Sequence, residues 1–342
     1  MKKKDDIKHF AHSGLMDLSS YRAEKAELNA EWDNYISNSD QSSIFSSSTY
    51  LNSLNLTEGH WSILKKNQKV AVLSLNQIDS RNLFLHDLVI YNGILFGPRD
   101  PNMNDSQIHS EQYRIISFCV DFLTKNYESI ILSTHPKFSD LRPFLWHNYG
   151  ENKLPQFNFD IRYTSHISLE KSYSTNDLEN NELYKKANKS RRQEIRYGLK
   201  ENIIVSSEFS IDDFLSLYQS TFLRQDLDVQ DTLPTLHSLL QALENDNKLK
   251  IYVAKSGNEE LLSIAIFGIF SNKAYYLFGA NNPEFRDKSS GTLVIWKALQ
   301  NLAEQGFQLV DMEGVNSPAR GYFKMSFGGK LIPYYHVQLK KG

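Results

Sequence analysis

The feature of the sequence that most restricts its fold is an internal repeat. An apolar segment ends in Leu-Phe-Gly twice, at 95–97 and at 277–279. Each copy is followed by a polar loop that contains proline, then by a segment with helical periodicity, and then by a second apolar segment. Because strand, helix and strand recur in this order, the sequence predicts two copies of one α/β unit.

The periodicity supports both copies. In the first half, Ile115 and Cys119 belong to an apolar stripe over about 111–125, and in the second half Ile295 and Leu299 belong to a similar stripe. Upstream of each helix, two apolar segments are separated by short polar turns, which is typical of strands joined as a hairpin. The predicted fold class is therefore α/β, with an α+β mixed sheet in each half and helices on its faces.

The length also favours two domains, since 342 residues exceed what one hydrophobic core usually organises. A polar stretch rich in Ser and Asn follows residue 165. We therefore expect one domain over 1–165 and a second over 166–342.

Composition excludes several classes of function. The 38 basic and 40 acidic side chains leave a net charge of −2, so the whole molecule has no field that attracts nucleic acid or an anionic membrane. The single cysteine, Cys119, has no partner for a disulfide, and the ten histidines show no metal-ligand spacing. No apolar segment is long enough for a signal peptide or a membrane span. We expect a cytoplasmic protein without a metal.

A candidate anion site precedes the last long helix. A helix N-terminus presents unpaired N–H groups, so a turn of small residues there can hold phosphate oxygens. The residues with that chemistry are Arg286, Ser289, Ser290, Gly291 and Thr292. The alternative is an ordinary helix start, because serine is a good N-cap residue.

The tail after the next strand is the second candidate. A strand that ends in Asp311 and Glu313 continues into a segment rich in glycine and aromatic residues that contains one lysine, Lys324. Such a cluster beside polar groups is typical of a binding surface rather than of a plain connection.

These motifs resemble a known family. The tail residues that carry the resemblance are Gly314, Asn316, Arg320, Gly321, Phe323, Lys324 and the segment 327–329. Together with the basic segment Arg191-Arg192-Gln193-Glu194-Ile195-Arg196, they resemble the FemAB-like branch of the GNAT acyltransferase superfamily. The turn at 286–292 resembles the pyrophosphate loop of that superfamily, with Ser289 in place of its first glycine.

The resemblance implies two tandem GNAT-like acyl-CoA N-acyltransferase domains. The acyl donor, acyl-CoA or acetyl-CoA, would lie between splayed central strands of the second domain, held by the turn at 286–292. The first domain would be degenerate and lie on the acceptor side, because its loop GPRDPNMNDSQ lacks the Arg-x-x-Ser-x-Gly pattern.

The resemblance also implies roles in catalysis. An amine must lose a proton to attack an acyl carbonyl, and the oxyanion that forms needs a positive group. Glu313 is the candidate base, Lys324 the candidate for the oxyanion, and Tyr322 a candidate for orienting the substrate. The plain alternatives are a solvated carboxylate for Glu313 and a packing role for Tyr322.

Substrate binding is expected from the basic helix and the tail. Seven basic residues and one acidic residue lie between Lys185 and Lys200, which favours an anionic ligand over a merely solvated helix face. Arg192 and Arg196 could hold phosphates, and Asn316 and Arg320 are the candidates in the tail.

Three hypotheses follow. The first is an acyltransferase that moves an acyl group from acyl-CoA to an amino group of an activated sugar, a glycan or a cell-envelope precursor. The second is a FemABX-type transferase that takes an amino acid from aminoacyl-tRNA for a peptidoglycan precursor. It is favoured less because no long heptad segment is visible that would hold tRNA. The third is a catalytically silent scaffold in an envelope-assembly complex. The acceptor is a small or a lipid- or nucleotide-linked glycan in the first case, and the oligomeric state stays open.

Overall fold

The structure is a computed structural model that describes residues 17–151, 153–223 and 229–341, with the backbone alone at 286–288. The strands, in chain order, are β1 (Tyr21–Lys25), β2 (His60–Lys65), β3 (Gln68–Ser74), β4 (Asn76–Gln77), β5 (Leu83–Phe84), β6 (Gly93–Phe96), β7 (Ser129–Ser133), β8 (Asn158–Ser168), β9 (Ile203–Ser206), β10 (Leu249–Ser256), β11 (Leu261–Phe270), β12 (Lys273–Asn281), β13 (Leu309–Gly314) and β14 (Lys330–Lys340).

The helices, in the same order, are α1 (Ala30–Ser37), α2 (Ser48–Ser53), α3 (Asp105–Asn126), α4 (Arg142–Leu145), α5 (Glu182–Lys186), α6 (Lys189–Lys200), α7 (Ile211–Leu223), α8 (Leu233–Asn245), α9 (Ser290–Glu304) and α10 (Pro318–Met325). The predicted strand, helix and strand of each half are thus β6, α3 and β7, and then β12, α9 and β13. The predicted hairpins are β2–β3 and β10–β11.

The chain divides into two compact units. Among the described residues, the first unit comprises 17–48, 56–161 and 334–341, and the second comprises 49–55 and 162–333. The predicted domains 1–165 and 166–342 stay a prediction.

The first unit contains a four-stranded antiparallel sheet in the order β1-β2-β3-β6. Its strand β7 pairs with the last residues of β14, from His336 to Lys340. The long helix α3 begins with a capping box at Asn104 and buries Ile115, Ile116 and Cys119 in the core of this unit. The helix stripe that the sequence predicts for the first half is confirmed, whereas this four-stranded sheet is antiparallel and not mixed as predicted.

The second unit has a mixed sheet in the order β8-β13-β12-β11-β10-β9. Only β12 and β13 are parallel among these pairs, and the other neighbours are antiparallel. The helix α9 connects the two parallel strands, as a right-handed crossover requires. Its face carries Leu293, Trp296 and Leu299 into the main core of the unit.

The polar stretch that follows residue 165 is not a solvated linker. Tyr173, Leu183 and Tyr184 are almost fully buried and belong to the core of the second unit. Asn181 caps α5 through a bond from the N–H of Tyr184 and also donates its amide to two backbone carbonyls. Composition hid these contacts, because a few aromatic anchors decide the packing of an otherwise polar segment.

Candidate functional site

The site lies where the two parallel strands of the second unit separate. β12 and β13 pair from Lys273 with Leu309 to Tyr275 with Asp311, and no further. Both strands run on past this point, to Asn281 and to Gly314. Because the carboxyl ends of parallel strands meet at one edge, the segments after β12 and after β13 face the same opening. The splay that the resemblance implies is present.

The turn after β12 presents backbone donors. Ser289 has φ 55° and ψ 20°, in the left-handed region, and its side chain makes no capping bond. The N–H groups of Thr292 and Leu293 donate to the Ser289 carbonyl at 3.2 and 3.0 Å, which leaves those of Ser290 and Gly291 at the open end of the helix. The ordinary N-capped start is therefore not what Ser289 forms, and the turn has the chemistry of an anion-binding nest.

The hydroxyls of this turn point elsewhere. The Ser290 Oγ lies 2.7 Å from the Ser263 Oγ of β11, and the Thr292 hydroxyl donates to Glu194 at 2.6 Å. Both residues are buried. Of the predicted anion ligands, the backbone of Ser289, Ser290 and Gly291 is in place, whereas the Ser290 and Thr292 side chains are used within the fold. The side chain of Arg286 lies outside the part of the chain that the structure describes.

Gly291 lies in close contact with a neighbouring side chain. A Cβ atom there would overlap the Oδ1 of Asn281, at the end of β12. The Asn281 Oδ1 in turn accepts a bond from the Ser263 hydroxyl at 2.8 Å. The backbone of the turn thus packs closely against Asn281 at the end of β12.

Arg191 connects the turn to the tail. It is 4% exposed, its Nη1 donates to the Thr292 hydroxyl and, at 2.5 Å, to Glu194, and its Nε donates to the Ser326 hydroxyl at 2.8 Å. Its guanidinium carbon also lies 4.4 Å from the centroid of the Phe323 ring. Gly291 and Lys324 therefore lie on the same side of this unit, each one residue from a group that Arg191 holds. The turn at 286–292 and the tail at 314–329 are thus joined through Arg191.

Glu313, which is buried at the end of β13, and Lys324, which is half-buried on α10, influence each other's charge. Burial raises the pKa of Glu313 well above its ordinary range, the ammonium of Lys324 opposes that shift, and the carboxylate of Asp311 adds to it. Burial lowers the pKa of Lys324, while Glu313 and Asp311 oppose that change. The Oε1 of Glu313 is buried and has no hydrogen-bond partner. Such a carboxyl is suited to accept a proton from a substrate, because its pKa is moved toward neutrality.

Tyrosines surround this pair on several elements. Burial, together with the charge of Glu313, raises the pKa values of Tyr50 on α2 and Tyr276 on β12. The Lys324 ammonium lies 5.6 Å from the centroid of the Tyr276 ring and 3.5 Å from the Gly314 carbonyl oxygen that accepts from it. Glu313 and the two tyrosines are therefore in a region of low dielectric constant, where charges interact more strongly than in water.

The tail is a helix rather than an extended aromatic segment. α10 begins at Pro318, and a Cβ atom at Gly321 would overlap the carbonyl oxygen of Val315. Pro at the first helical position and glycine at this close approach explain how the Gly- and Pro-rich stretch folds. Lys324 therefore lies on a helix that packs closely against Val315, directly after β13.

The structure separates the remaining candidates in the tail. Tyr322 is 65% exposed and its hydroxyl accepts a bond from Asn188, so it is not brought to Glu313. Asn316 uses both ends of its amide on the backbone of Tyr163, at 2.7 and 3.1 Å. Arg320 is exposed, with its guanidinium carbon 5.3 Å from the centroid of the Phe222 ring.

The two arginines predicted to bind phosphate are tied to α5. Arg192 donates to the carbonyls of Lys185 and Ala187, at 3.2 and 2.6 Å, and so completes the C-terminus of that helix. Arg196 donates to the Tyr184 hydroxyl at 2.8 Å but is itself exposed. Arg192 thus has a structural task, whereas Arg196 can still reach a ligand.

Sequence reasoning missed Arg191 and the environment of Asp311. Arg191 is four residues before Ile195 and seven before Gly198, and these three are the buried residues of α6. Helical periodicity anchored on Ile195 could have identified Arg191 as the inward arginine. The partners of Asp311 come from β8, and no local pattern indicates them.

Membrane-spanning helices and metal-binding clusters are both absent from the described residues. None of the helices in the described residues is both long and apolar enough to cross a membrane. Within the same residues, no cluster of three or more His, Cys, Asp or Glu side chains could hold a metal ion.

Comparison with known proteins identifies a matching domain family and structures with a similar fold. Residues 181–324 match the family described as Acetyltransferase (GNAT) domain. No curated protein matches the chain by sequence. Among solved structures, FemX is similar with a TM-score of 0.61 and 12% identity, covering 92% of this chain and 96% of FemX.

Two further structures share the fold. L-PGS from Bacillus licheniformis has a TM-score of 0.54 and 15% identity, with 92% of each chain covered. A tandem GNAT protein from the clavulanic acid biosynthesis pathway has a TM-score of 0.52 and 11% identity, covering 94% of this chain and 98% of that one. Residues 181–324 therefore match a GNAT acetyltransferase domain, as found in acyltransferases, and the chain shares its fold with FemX, L-PGS and the tandem GNAT protein.

Proposed function

We propose that the chain moves an acyl group from acyl-CoA to an amino group of an activated sugar, a glycan or another cell-envelope precursor, in the cytoplasm. The observation that carries this proposal is the shared edge of the second unit. An anion-binding turn follows β12, the buried Glu313 lies near the end of β13, and Lys324 lies on the helix that comes after β13, at the point where the two strands separate. A carrier with phosphates and a reactive carbonyl fits such an edge.

The donor is held by backbone groups. The N–H groups of Ser289, Ser290 and Gly291 would contact the pyrophosphate of the coenzyme, because the left-handed Ser289 turns them toward the open end of α9. The match of residues 181–324 to the GNAT acetyltransferase domain favours acyl-CoA as the donor. The thioester of the coenzyme supplies the activated carbonyl.

The pair at β13 carries the chemistry. Glu313 takes the proton of the acceptor amine through its unpartnered Oε1, and its raised pKa makes it a stronger base than an ordinary carboxylate. Lys324, whose ammonium donates to the Gly314 carbonyl oxygen at 3.5 Å, supplies positive charge to the oxyanion. Each task is worth about 10²- to 10⁴-fold in rate for groups of this kind.

The acceptor would bind to exposed side chains of the second unit. Arg320 and the Phe222 ring offer a guanidinium and an aromatic face, a combination that suits a phosphorylated sugar. Arg196 is a second exposed arginine of this unit. Tyr322, Asn316 and Arg192 have no task in this proposal, because their polar groups are exposed elsewhere or bonded to the fold.

Donor binding is tested by calorimetry with acetyl-CoA. Gly291→Ala places a methyl group against Asn281 and is expected to weaken binding at least about tenfold by shifting the turn. Gly257→Ala is the matched control, since its Cβ meets another asparagine, Asn202, in a hairpin turn. Absence of binding by the parent at millimolar acetyl-CoA, or equal affinities for both variants, would contradict the proposal.

Turnover is tested by release of the coenzyme thiol. Acetyl-CoA is supplied with glucosamine, glucosamine 6-phosphate or UDP-glucosamine as the acceptor probe. Lys324→Met is expected to lower kcat by about 10²-fold or more while donor affinity stays unchanged. A silent scaffold would instead show no thiol release with any amine and no difference between the parent and Lys324→Met.

The second candidate is transfer from aminoacyl-tRNA. The fold shared with FemX and the exposed lysines on α5 and α6, Lys185, Lys189 and Lys200, favour it. Retention of charged tRNA that decreases steeply with salt, and that is lost when these lysines become glutamine, would replace acyl-CoA as the proposed donor.

A further inference from the structure

Asp311 is a buried carboxylate that the proposed reaction does not use. It is 1% exposed and lies two residues before Glu313 on β13. One oxygen, Oδ1, accepts bonds from the Thr164 hydroxyl and, at 2.8 Å, from the backbone N–H of Glu313. The other, Oδ2, lies 3.2 Å from the Nε2 of His166. Burial disfavours the charge, but the bonds with His166 and Thr164 outweigh it and lower the pKa of Asp311.

The backbone beside Asp311 is irregular. Asp311 pairs with His166 of β8, and the next pair is Gly314 with Thr164, so two residues of β13 stand opposite Ser165 alone. This is a β-bulge, and Glu313 within it has φ 59°. A non-glycine residue in the left-handed region costs about 1–2 kcal/mol and needs a fixed partner to hold it there.

The Asp311 side chain supplies that partner. Within the bulge, the N–H of Glu313 is turned to the Oδ1 of Asp311. A carboxylate that served only to join β8 to β13 would need Thr164 and His166 and no third bond. The third bond falls on the residue whose own Oε1 is buried and without a partner. Bulges beside active sites commonly re-aim a side chain in this way.

We propose that Asp311, itself held by Thr164 and His166, is a positioning residue that fixes the bulge and thereby aims the Glu313 carboxyl at the substrate amine. This inference rests on the proposed function for the role of Glu313. The arrangement of the bulge is testable without it.

The charge of Asp311 also changes the pKa of Glu313. This effect can be tested separately from the positioning of Glu313. The titratable groups that face Glu313 are Asp311, Lys324 of α10, Tyr50 of α2, Tyr218 of α7 and Tyr276 of β12. Among them, the carboxylate of Asp311 raises the pKa of Glu313. Removing only the charge therefore lowers that pKa, so a base at Glu313 stays active to a lower pH.

The test compares Asp311→Asn with Asp311→Ala. The asparagine keeps an oxygen for the Glu313 N–H and loses the charge, whereas the alanine loses both. We expect Asp311→Asn to keep kcat within about threefold and to move the acid limb of its pH profile to lower pH. We expect Asp311→Ala to lower kcat about 100-fold at unchanged acetyl-CoA affinity, since a small misplacement of a catalytic group costs this much. Equal kcat losses in both variants would overturn the proposal.

Crystal structures give the readout that needs no substrate. Glu313 should keep its positive φ in Asp311→Asn and should return to an extended conformation in Asp311→Ala. A bulge that is unchanged in Asp311→Ala refutes the positioning role even if no acyl transfer is ever detected. A relaxed bulge with no transfer by the parent supports positioning and removes only the proposed function.

A control variant and a second measurement complete the test. Glu244→Gln changes an exposed carboxylate on α8 and should leave the pH profile unchanged. Should Asp311→Ala fail to fold, Asp311→Asn is titrated by ¹³C NMR of the Glu313 carboxyl. A pKa lower than in the parent, with the positive φ kept, supports the proposal, and an unshifted pKa or a lost bulge contradicts it.

Discussion

Replacement of Arg191 by alanine tests the connection that makes the turn and the tail one site. Arg191 donates to Thr292, Glu194 and Ser326 and lies over the rings of Phe323 and Phe327. We expect the variant to fold with a lower free energy of unfolding and to bind acetyl-CoA more weakly. The N-terminus of α9 would lose its attachment to α10.

The magnitude follows from the partners. The Thr292 and Ser326 hydroxyls keep other acceptors, Glu194 and the Phe323 carbonyl, so neither is left unsatisfied. The Glu194 side chain is 40% exposed and can be hydrated again. The loss is then about 2 kcal/mol from charge-assisted bonds and about 1–2 kcal/mol from the guanidinium over the two rings. A total of about 3–4 kcal/mol lowers the melting temperature by about 6–16 °C for a unit of this size.

The basic helix contains its own controls. Arg192→Ala removes two bonds to carbonyls from a half-buried side chain and should cost about 1 kcal/mol, and Arg196→Ala at an exposed position should cost about 0.5 kcal/mol or less. Scanning calorimetry and urea titration of the three variants give the comparison. If Arg191→Ala falls within about 1 kcal/mol of Arg192→Ala, Arg191 does not hold the site together and the reasoning is wrong.

Three more outcomes are expected. Ser289→Gly should raise the free energy of unfolding by about 0.5–1 kcal/mol, because Ser289 has φ 55° and no capping bond, whereas Ser290→Gly should lower it by a similar amount or more; thermal unfolding that ranks them the other way contradicts the left-handed turn. Gly321→Ala should destabilise by about 2 kcal/mol or more, since its Cβ would overlap the backbone of Val315, and a urea midpoint equal to the parent's would show that α10 can move. Glu313→Gln should lower kcat by about 10²-fold or more and also change stability with pH. Because the pKa of Glu313 is raised on folding, the stability it contributes is present below its unfolded pKa and is lost as the pH rises toward the folded one, so the variant should be the more stable protein at neutral pH and lose that advantage in acid. Urea titration at pH 4 and pH 8 that shows the same difference at both would contradict the shift.

Much of the fold could be predicted because it depends on local patterns that occur twice. The strands and the long helices α3 and α9 follow from periodicity, and their order follows from the repeat of Leu-Phe-Gly. The segment from Tyr173 to Tyr184 was harder, since three buried aromatic and aliphatic anchors in a polar stretch give no periodic signal. Residues 49–55 belong to the second compact unit and residues 334–341 to the first. These assignments depend on contacts between residues that are far apart in sequence.

The site was predictable to the level of motifs but not of atoms. The sequence indicated the turn at 286–292 and the residues Glu313 and Lys324, and the structure brings their backbones to one edge. It could not show that the hydroxyls of Ser290 and Thr292 point inward, because their partners, Ser263 and Glu194, come from other elements. A run of basic residues likewise does not show which arginine faces the core.

Backbone strain marks the same edge independently of any motif. Of the eight non-glycine residues with positive φ in the described part of the chain, Glu313 is the one that lies inside a strand. Ser289 is another of the eight, and it lies after the neighbouring parallel strand, at a helix start where it makes no capping bond. Strain of this kind persists only where surrounding contacts hold it, and here Asp311 holds one residue while the packing of Gly291 on Asn281 holds the next turn. The positive φ angles of Ser289 and Glu313 both occur at the separated ends of β12 and β13. The fold is therefore locally destabilised at the place where a donor carbonyl and an amine would have to meet.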